Sequence, residues 1–205
     1  MPKIKLTKGE LKRQRDALRQ YERYLPTLQL KKQQLQLEIL QQQNLLSERR
    51  HAESKKRESI KTWAGLLAEP GINIKQWLIS ERVITATKNV AGVDLPVFQS
   101  ADFTAADYDL FATPLWVDFA IEVFRSLVSL EEEIKTLEKG MDILRHELRI
   151  TTQRVNLFEK VKIPEAMEAI RLIKIYIGDQ MANAVGRSKI AKRKIEEAVF
   201  EEVLV

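Results

Sequence analysis

Two long stretches of this sequence place apolar residues at alternating steps of three and four. In the first, one column reads Leu11, Leu18, Leu25, Lys32, Ile39 and Leu46, and the other Gln14, Tyr21, Leu28, Leu35, Gln42 and Arg49. In the second, Val123, Leu127, Leu130, Ile134, Leu137, Met141, Leu144, Leu148, Thr151, Val155 and Phe158 follow the same rule. A 3.5-residue repeat keeps one stripe of an α-helix turned toward a partner helix, so each run predicts one half of a coiled coil. Lys32, Gln14, Gln42 and Arg49 interrupt the first stripe; polar residues at such positions cost stability and fix register. Gly140 falls where the second pattern leaves an exposed position.

Prolines and charge punctuate both runs. Pro26 lies inside the first and predicts a kink or a loosened turn. Between Ser47 and Lys61 the apolar stripe thins to Ala52 and Ile60. It returns with Trp63, Leu66 and Leu67 before Glu69-Pro70-Gly71 ends the helix. In the second run the step from Phe158 to Ile163 is five, next to Pro164. The seam is then expected to resume through Met167, Ile170, Ile177, Met181 and Ala184, with a bend near 162–165.

The segment between the runs is different. Arg82 to Lys88 is rich in β-branched residues, Asn89 to Asp94 contains Gly92, and Leu95 to Gln99 follows. This reads as a β-hairpin whose hallmark residues are Asn89, Gly92 and Pro96, with Pro96 confining its strand to an edge. Residues 100–114 read as a loop. The expected fold is mainly α: a long antiparallel two-helix coiled coil with a small central β-hairpin. Its parts are an N-terminal helix (1–68), a central region (69–114), a C-terminal helix (115–198) and a tail (199–205). Its seam is expected at Leu11, Leu18, Leu25, Leu28, Leu35, Ile39, Leu127, Ile134, Leu137, Met141, Leu144, Leu148 and Val155. About 55 helical residues would span ~80 Å, a length that only a partner helix can cover.

Composition agrees. Of 205 residues only seven are Gly and six Pro, while 31% are charged; scarce turn formers mean few chain reversals. Without cysteine, neither a disulfide framework nor a thiolate metal site forms. The charged start lacks a signal peptide's apolar core, and no stretch reaches the ~18 apolar residues of a membrane helix. These features lead to the expectation of a soluble, cytoplasmic protein.

The net charge of +5 is unevenly spread. Residues 1–23 carry eight basic and three acidic side chains, and residues 171–195 seven and one. Residues 68–122 carry three basic and eight acidic, and the last ten residues add four glutamates. Folding back would make a rod with both basic termini at one tip and an acidic far end.

No phosphate-binding loop, GxGxxG cluster or HExxH occurs. His51 and His146 are isolated, and Glu131-Glu132-Glu133 reads as a solvated face. No catalytic, cofactor-binding or metal-binding constellation emerges, so the chain is expected not to be an enzyme. The basic stripes of Lys3, Lys5, Lys8, Lys12, Arg13, Arg15 and Arg19, with Arg187, Lys189, Lys192 and Arg193, admit three readings. They are a solvated face, a nucleic-acid surface working by counterion release, or a tip steered into a cavity of partner proteins. Only Tyr21 and Tyr24 lie close enough to stack on bases.

Three blocks resemble the D subunit of the V-type and A-type rotary ATPases, the central-stalk shaft. They are LTKGELKRQRDALR at the N-terminus, NVAGVDLPVF from Asn89 to Phe98, and QRVNLFEKVKIPEAMEAIRLIKIYI from Gln153 to Ile177. Within the last, Arg154, Val155 and Asn156 followed by Ile163 and Pro164 are similar to the family's hallmark. Gln153 stands where the family pattern has a second arginine. The resemblance implies a non-catalytic rotor peripheral to the membrane. It would transmit torque between a hexamer of catalytic and non-catalytic head subunits and the membrane ring, coupling to ATP-driven ion transport or ATP synthesis. The small F subunit of the stalk and a connecting subunit above the ring are the further implied partners, with no cofactor and no nucleic acid. The basic residues would enter the hexamer bore, the hairpin would contact neighbouring subunits, and the stretch near 47–60 with its opposing helix is a candidate face for the F subunit. Two other classes share parts of the pattern. A prefoldin-like chaperone needs apolar coil tips where this chain has charge, and a basic RNA-binding arm would bind in a salt-sensitive way.

Overall fold

The computed structural model describes residues 5–68, 74–108 and 113–203. Helix α1 runs over Lys8–Lys61, followed by 3₁₀ turns at Ala64–Ala68 and Ile74–Trp77. Strands β1 (Ser80–Val90) and β2 (Val93–Phe103) come next, then helix α2 (Trp116–Leu157), a π-turn (Phe158–Lys162) and helix α3 (Ile163–Val203). This is the expected class: two long helical arms around an antiparallel hairpin. The chain forms two compact units, Met1–Gln29 with Gln153–Val205, and Leu30–Thr152.

The Leu30–Thr152 unit is built on the predicted seam. Leu35, Ile39 and Leu46 of α1 face Leu130, Ile134, Leu137, Met141, Leu144 and Leu148 of α2 in two apolar clusters. The helices are antiparallel, because partners rise on α2 as they fall on α1. Arg57 pairs with Glu131 at 2.7 Å, Arg50 with Glu138 at 2.6 Å, and Lys31 with Glu147 at 2.8 Å. Every residue of both predicted α1 columns is buried or half-buried, including the polar ones. Lys32, Gln42 and Arg49 flank the seam, and Arg49 meets Glu133 at 2.8 Å.

The regular helix stops at Lys61, short of the Pro70 signal, which lies outside the described residues. The chain tightens instead: the Trp63 amide donates to the Ile60 carbonyl and the Leu66 amide to that of Trp63. Aromatic rings meet at this point. Trp63 meets Phe119 and Phe124 edge-on at centroid distances of 5.9 and 5.7 Å.

In the other unit, Thr7 caps α1 by accepting a hydrogen bond from the Glu10 amide at 3.2 Å. This Thr-x-x-Glu start is a sequence signal that the apolar pattern overlooks. Tyr21 of α1 stacks at 5.3 Å on Phe158. Pro26 is exposed, and α1 runs through it.

The five-residue step is a π-turn: the Ile163 amide donates to the Phe158 carbonyl. One extra residue per turn moves Pro164 away from the i−4 carbonyl with which its ring would otherwise clash. The seam after it differs from expectation. Ala166, Ala169, Ile170 and Ile173 are buried and Ile177 half-buried, whereas Met167, Met181 and Ala184 are exposed. The inserted residue rotates the stripe, so Ala166 and Ala169, which lay off the expected seam, are buried in place of Met167. Helix α3 also continues to Val203, through residues expected to form a tail.

Candidate functional site

Among the described residues the functional features are surfaces: a hairpin clamped to the coil, an ion-pair ladder, and two basic segments.

The hairpin is longer and its turn tighter than its sequence predicts. Strands of 11 residues each are joined through Ala91 and Gly92 alone, with φ of 51° and 76°. Two consecutive positive φ values define a type I′ turn, whose twist matches that of the strands. Asn89 holds it from the side. Its Oδ1 accepts from the Gly92 amide at 3.1 Å and its Nδ2 donates to Asp94 Oδ1 at 2.6 Å. Residues Ser100 to Phe103, expected as loop, pair with the start of β1, across two register shifts.

One face of the hairpin lies on the helices. Leu95 is 2% exposed, lodged with Leu35 and Leu144, and Val90, Ala91 and Val93 pack around them. Gly140, expected to be exposed, is buried. A Cβ there would stand 3.9 Å from the Pro96 carbonyl oxygen, an ordinary contact distance, so the strand lies against this position with room for a methyl group. Lys88 reaches Glu38 at 3.1 Å, and Gln42 donates to the same carboxylate oxygen at 3.0 Å. Burial pushes the Glu38 carboxyl up, but the bonds from Gln42 and Lys88 and the Lys88 charge outweigh it and hold the group below its ordinary value. At the base of the hairpin, Arg125 lies 5.5 Å over the Phe103 ring. It donates to the Trp77 carbonyl at 3.1 Å and also to the Thr104 carbonyl. The Tyr108 hydroxyl donates to Asp118, and that bond raises the tyrosine's pKa.

The charged stretch 47–60 is largely engaged within the chain. Arg49, Arg50 and Arg57 meet Glu133, Glu138 and Glu131 of α2, and Lys56 donates to Ser126 at 3.2 Å. Glu131 and Glu133 are therefore not part of a merely solvated face. Sequence reading misses these pairs because they depend on the register between two helices. His51 and His146 are exposed.

The basic residues Lys5, Lys8, Lys12, Arg13, Arg15 and Arg19 are exposed, as are Arg187, Lys189, Lys192 and Arg193; Lys3 lies outside the described residues. Neighbouring acids temper several of them. Arg13 is 3.5 Å from Glu10, Lys192 3.7 Å from Glu196, and Arg193 3.5 Å from Glu197. The two groups are not level along the helices. Counting antiparallel from the Tyr21–Phe158 contact, and allowing for the π-turn, sets Lys8 near residue 172. Arg187 then lies about 15 residues, or roughly 22 Å, further along α3. In the hallmark segment Val155 is buried, Ile163 half-buried, and Arg154, Asn156 and Pro164 are exposed. Among the described residues no three potential metal-ligating side chains cluster, and no helix is long and apolar enough to cross a membrane.

Against known proteins, residues 10–193 match the family of the ATP synthase D subunit. The D subunit of the V-type ATP synthase of Borreliella burgdorferi is 45% identical over 195 residues, covering 95% of this chain and 96% of the relative. That of Chlamydia abortus is 36% identical over 197 residues, with 95% and 94% covered. That of Chlamydia caviae is 35% identical over 196 residues, with the same coverage.

Proposed function

This chain belongs to the ATP synthase D-subunit family, and we propose that within a V/A-type ATPase it is the non-catalytic central shaft. In this role it carries torque between the catalytic head and the ion-translocating membrane ring. The observation that carries the proposal is the antiparallel pairing of α1 and α2 along an apolar seam within the Leu30–Thr152 unit, in a chain that matches the family over nearly its whole length. A shaft needs stiffness, since a compliant one would store torque as twist. It also needs asymmetry: one-sided features touch otherwise equivalent catalytic interfaces differently, so each interface favours another nucleotide state.

In this reading the basic residues of α1 and α3 enter the bore of a hexamer of catalytic and non-catalytic subunits. The remaining partners are the small F subunit of the stalk and a connecting subunit above the ring, with the chain peripheral to the membrane on its cytoplasmic side. The exposure of Lys12, Arg15, Arg19, Lys189 and Lys192 supports the bore assignment. The test is size-exclusion chromatography of the chain with the purified hexamer and small stalk subunit, with ATPase assayed on the fractions. One shaft per hexamer with altered turnover is the expected result. A folded, helical chain that elutes apart from the hexamer and leaves turnover unchanged would sink the proposal.

A further inference from the structure

The unit of Met1–Gln29 with Gln153–Val205 holds an irregularity that its own pairing does not require. On α1 the seam keeps strict steps of three and four through Leu11, Gln14, Leu18, Tyr21, Leu25 and Leu28, all half-buried. The opposing arm runs Val155, Phe158, Ile163, Ala166, Ile170 and Ile173, with a single step of five at the π-turn. One residue fewer there would leave an unbroken heptad facing the unbroken heptad of α1. The insertion also replaces regular α-helical hydrogen bonds by the rarer i→i+5 kind, which recurs at places where a helix does more than pack.

Three further observations fall at the same level. Pro164 has no N–H, so the carbonyls of the π-turn lose a donor. Pro26, inside α1, leaves the Glu22 carbonyl without its helical donor in the same way. Pro26 lies five residues along α1 from Tyr21, and Pro164 six residues along the other arm from Phe158. Because Tyr21 and Phe158 meet at 5.3 Å in an antiparallel pair, the two prolines flank that contact, each within about 9 Å of it along the axis. The packing here is also thin. Residues 156–165 are ten in a row with none buried, the longest such run between Val117 and Ile173, and no residue of α1 from Lys8 to Gln29 is buried either.

We infer that this level is a bending joint, in which both helices are weakened together and the Tyr21–Phe158 contact is the pivot that keeps them paired. Proline and π-turns are the usual sites of helix bending, and an intact partner helix would splint either of them. Here the partner is interrupted as well. Local opening costs least where backbone hydrogen bonds are missing and few buried contacts back them. The joint is a property of the chain itself and does not depend on the shaft reading; in a shaft it would let the basic ends tilt while the two helices stay together.

The full-length chain has no cysteine, so spin labels go only where cysteines are introduced. Arg154→Cys with Lys174→Cys spans the π-turn. Glu122→Cys with Asp142→Cys spans an uninterrupted stretch of α2 of equal residue count, and all four positions are exposed. The distance distribution from double electron–electron resonance is expected to be broader across the π-turn than across α2. It should narrow to the α2 width when Val161 is deleted and both prolines are replaced, Pro26→Ala and Pro164→Ala. Hydrogen exchange on the unlabelled chain is the second readout. Amides of residues 159–166 should exchange about tenfold faster than those of 151–155 and 169–173 on either side, a local maximum that fraying from the C-terminus cannot produce. Equal widths for the two label pairs, a width that the repaired chain retains, or exchange that slows steadily inward from the end would each overturn the joint. Adding the purified hexamer to the labelled chain reports on the shaft role separately. A chain that stays unbound but keeps the broad distribution would sink that role and leave the joint standing.

Discussion

At the scale of single residues, the hairpin depends on a few positions. Ala91 adopts φ 51°, a conformation that costs a residue with a Cβ about 1 kcal/mol and that Asn tolerates better. Ala91→Asn should therefore stabilise the chain by roughly 0.5–1 kcal/mol, read as a higher urea midpoint at unchanged slope. Glu38 gives the hairpin a pH dependence whose sign is fixed. Its folded pKa lies below the ordinary 4.5, so its stabilisation is present above the unfolded value and disappears as pH falls through the folded one. The wild-type melting temperature should thus fall more steeply than that of Glu38→Gln as pH drops from 5 to 3, with the curves converging at the acid end. Parallel curves would mean that the Lys88–Glu38 contact contributes nothing. Leu35 and Leu144, both fully buried, carry more weight. Leu144→Ala should cost about 2–5 kcal/mol by the usual range for buried leucine.

Between elements, one contact of the hairpin with α2 places Pro96 over Gly140. The nearest atoms to an added Cβ are 3.9 and 4.0 Å away, ordinary contact distances. Gly140→Ala should then stabilise by about 1 kcal/mol through helix propensity, whereas Gly140→Phe should lift β2 from α2. Hydrogen exchange on the hairpin amides would register the second change, and unaltered protection there would refute the close-approach account. The same packing bears on any hairpin replacement. Substituting residues 84–97 by a Gly/Ser loop removes Leu95 from Leu35 and Leu144, so an effect on ATPase activity would mix lost contacts with a lost core. Charge changes at the exposed Thr87 and Val97 test the contact role more cleanly. How far the sequence discloses these elements follows from their physics. The α1 and α2 seams are legible because a heptad is a local pattern, and every predicted seam residue within the two helices is buried or half-buried. Leu66, expected to extend the first seam, instead lies past the end of α1 and is exposed. The hairpin's strand ends, Gly140's burial and the glutamate partners of Arg49 and Arg57 are not legible, since each depends on which residues a distant segment brings opposite. The α3 seam is misread for a local reason: a π-turn shifts the phase by one residue, and periodicity alone cannot locate the shift.

For the whole molecule, the distribution of burial separates what folds from what is left to bind. Cross-helix ion pairs such as Arg50–Glu138 are exposed and contribute ~0–1 kcal/mol each, so salt should lower stability only slightly, and the apolar seam dominates. That seam ends near Ile177. Among the residues of α3 beyond it whose side chains are described, all but the half-buried Gly186 are exposed, and Met181, Val185, Ile190, Ile195 and Val199 are each more than half exposed. A helix with apolar and basic residues alike in solvent gains little from its own chain, and isolated helices of this length are marginal in water. A surrounding protein cavity would supply the missing burial and accept the positive charge. Truncation after Gly178 should therefore leave the melting temperature of the remaining chain within about 2 °C, because none of the described side chains it removes is buried. On the shaft reading it should nonetheless weaken hexamer association about tenfold or more and reduce coupled ion transport. If truncation instead unfolded the chain, this segment would belong to the core. If it spared stability, association and coupling together, the bore assignment for Arg187, Lys189, Lys192 and Arg193 would be lost.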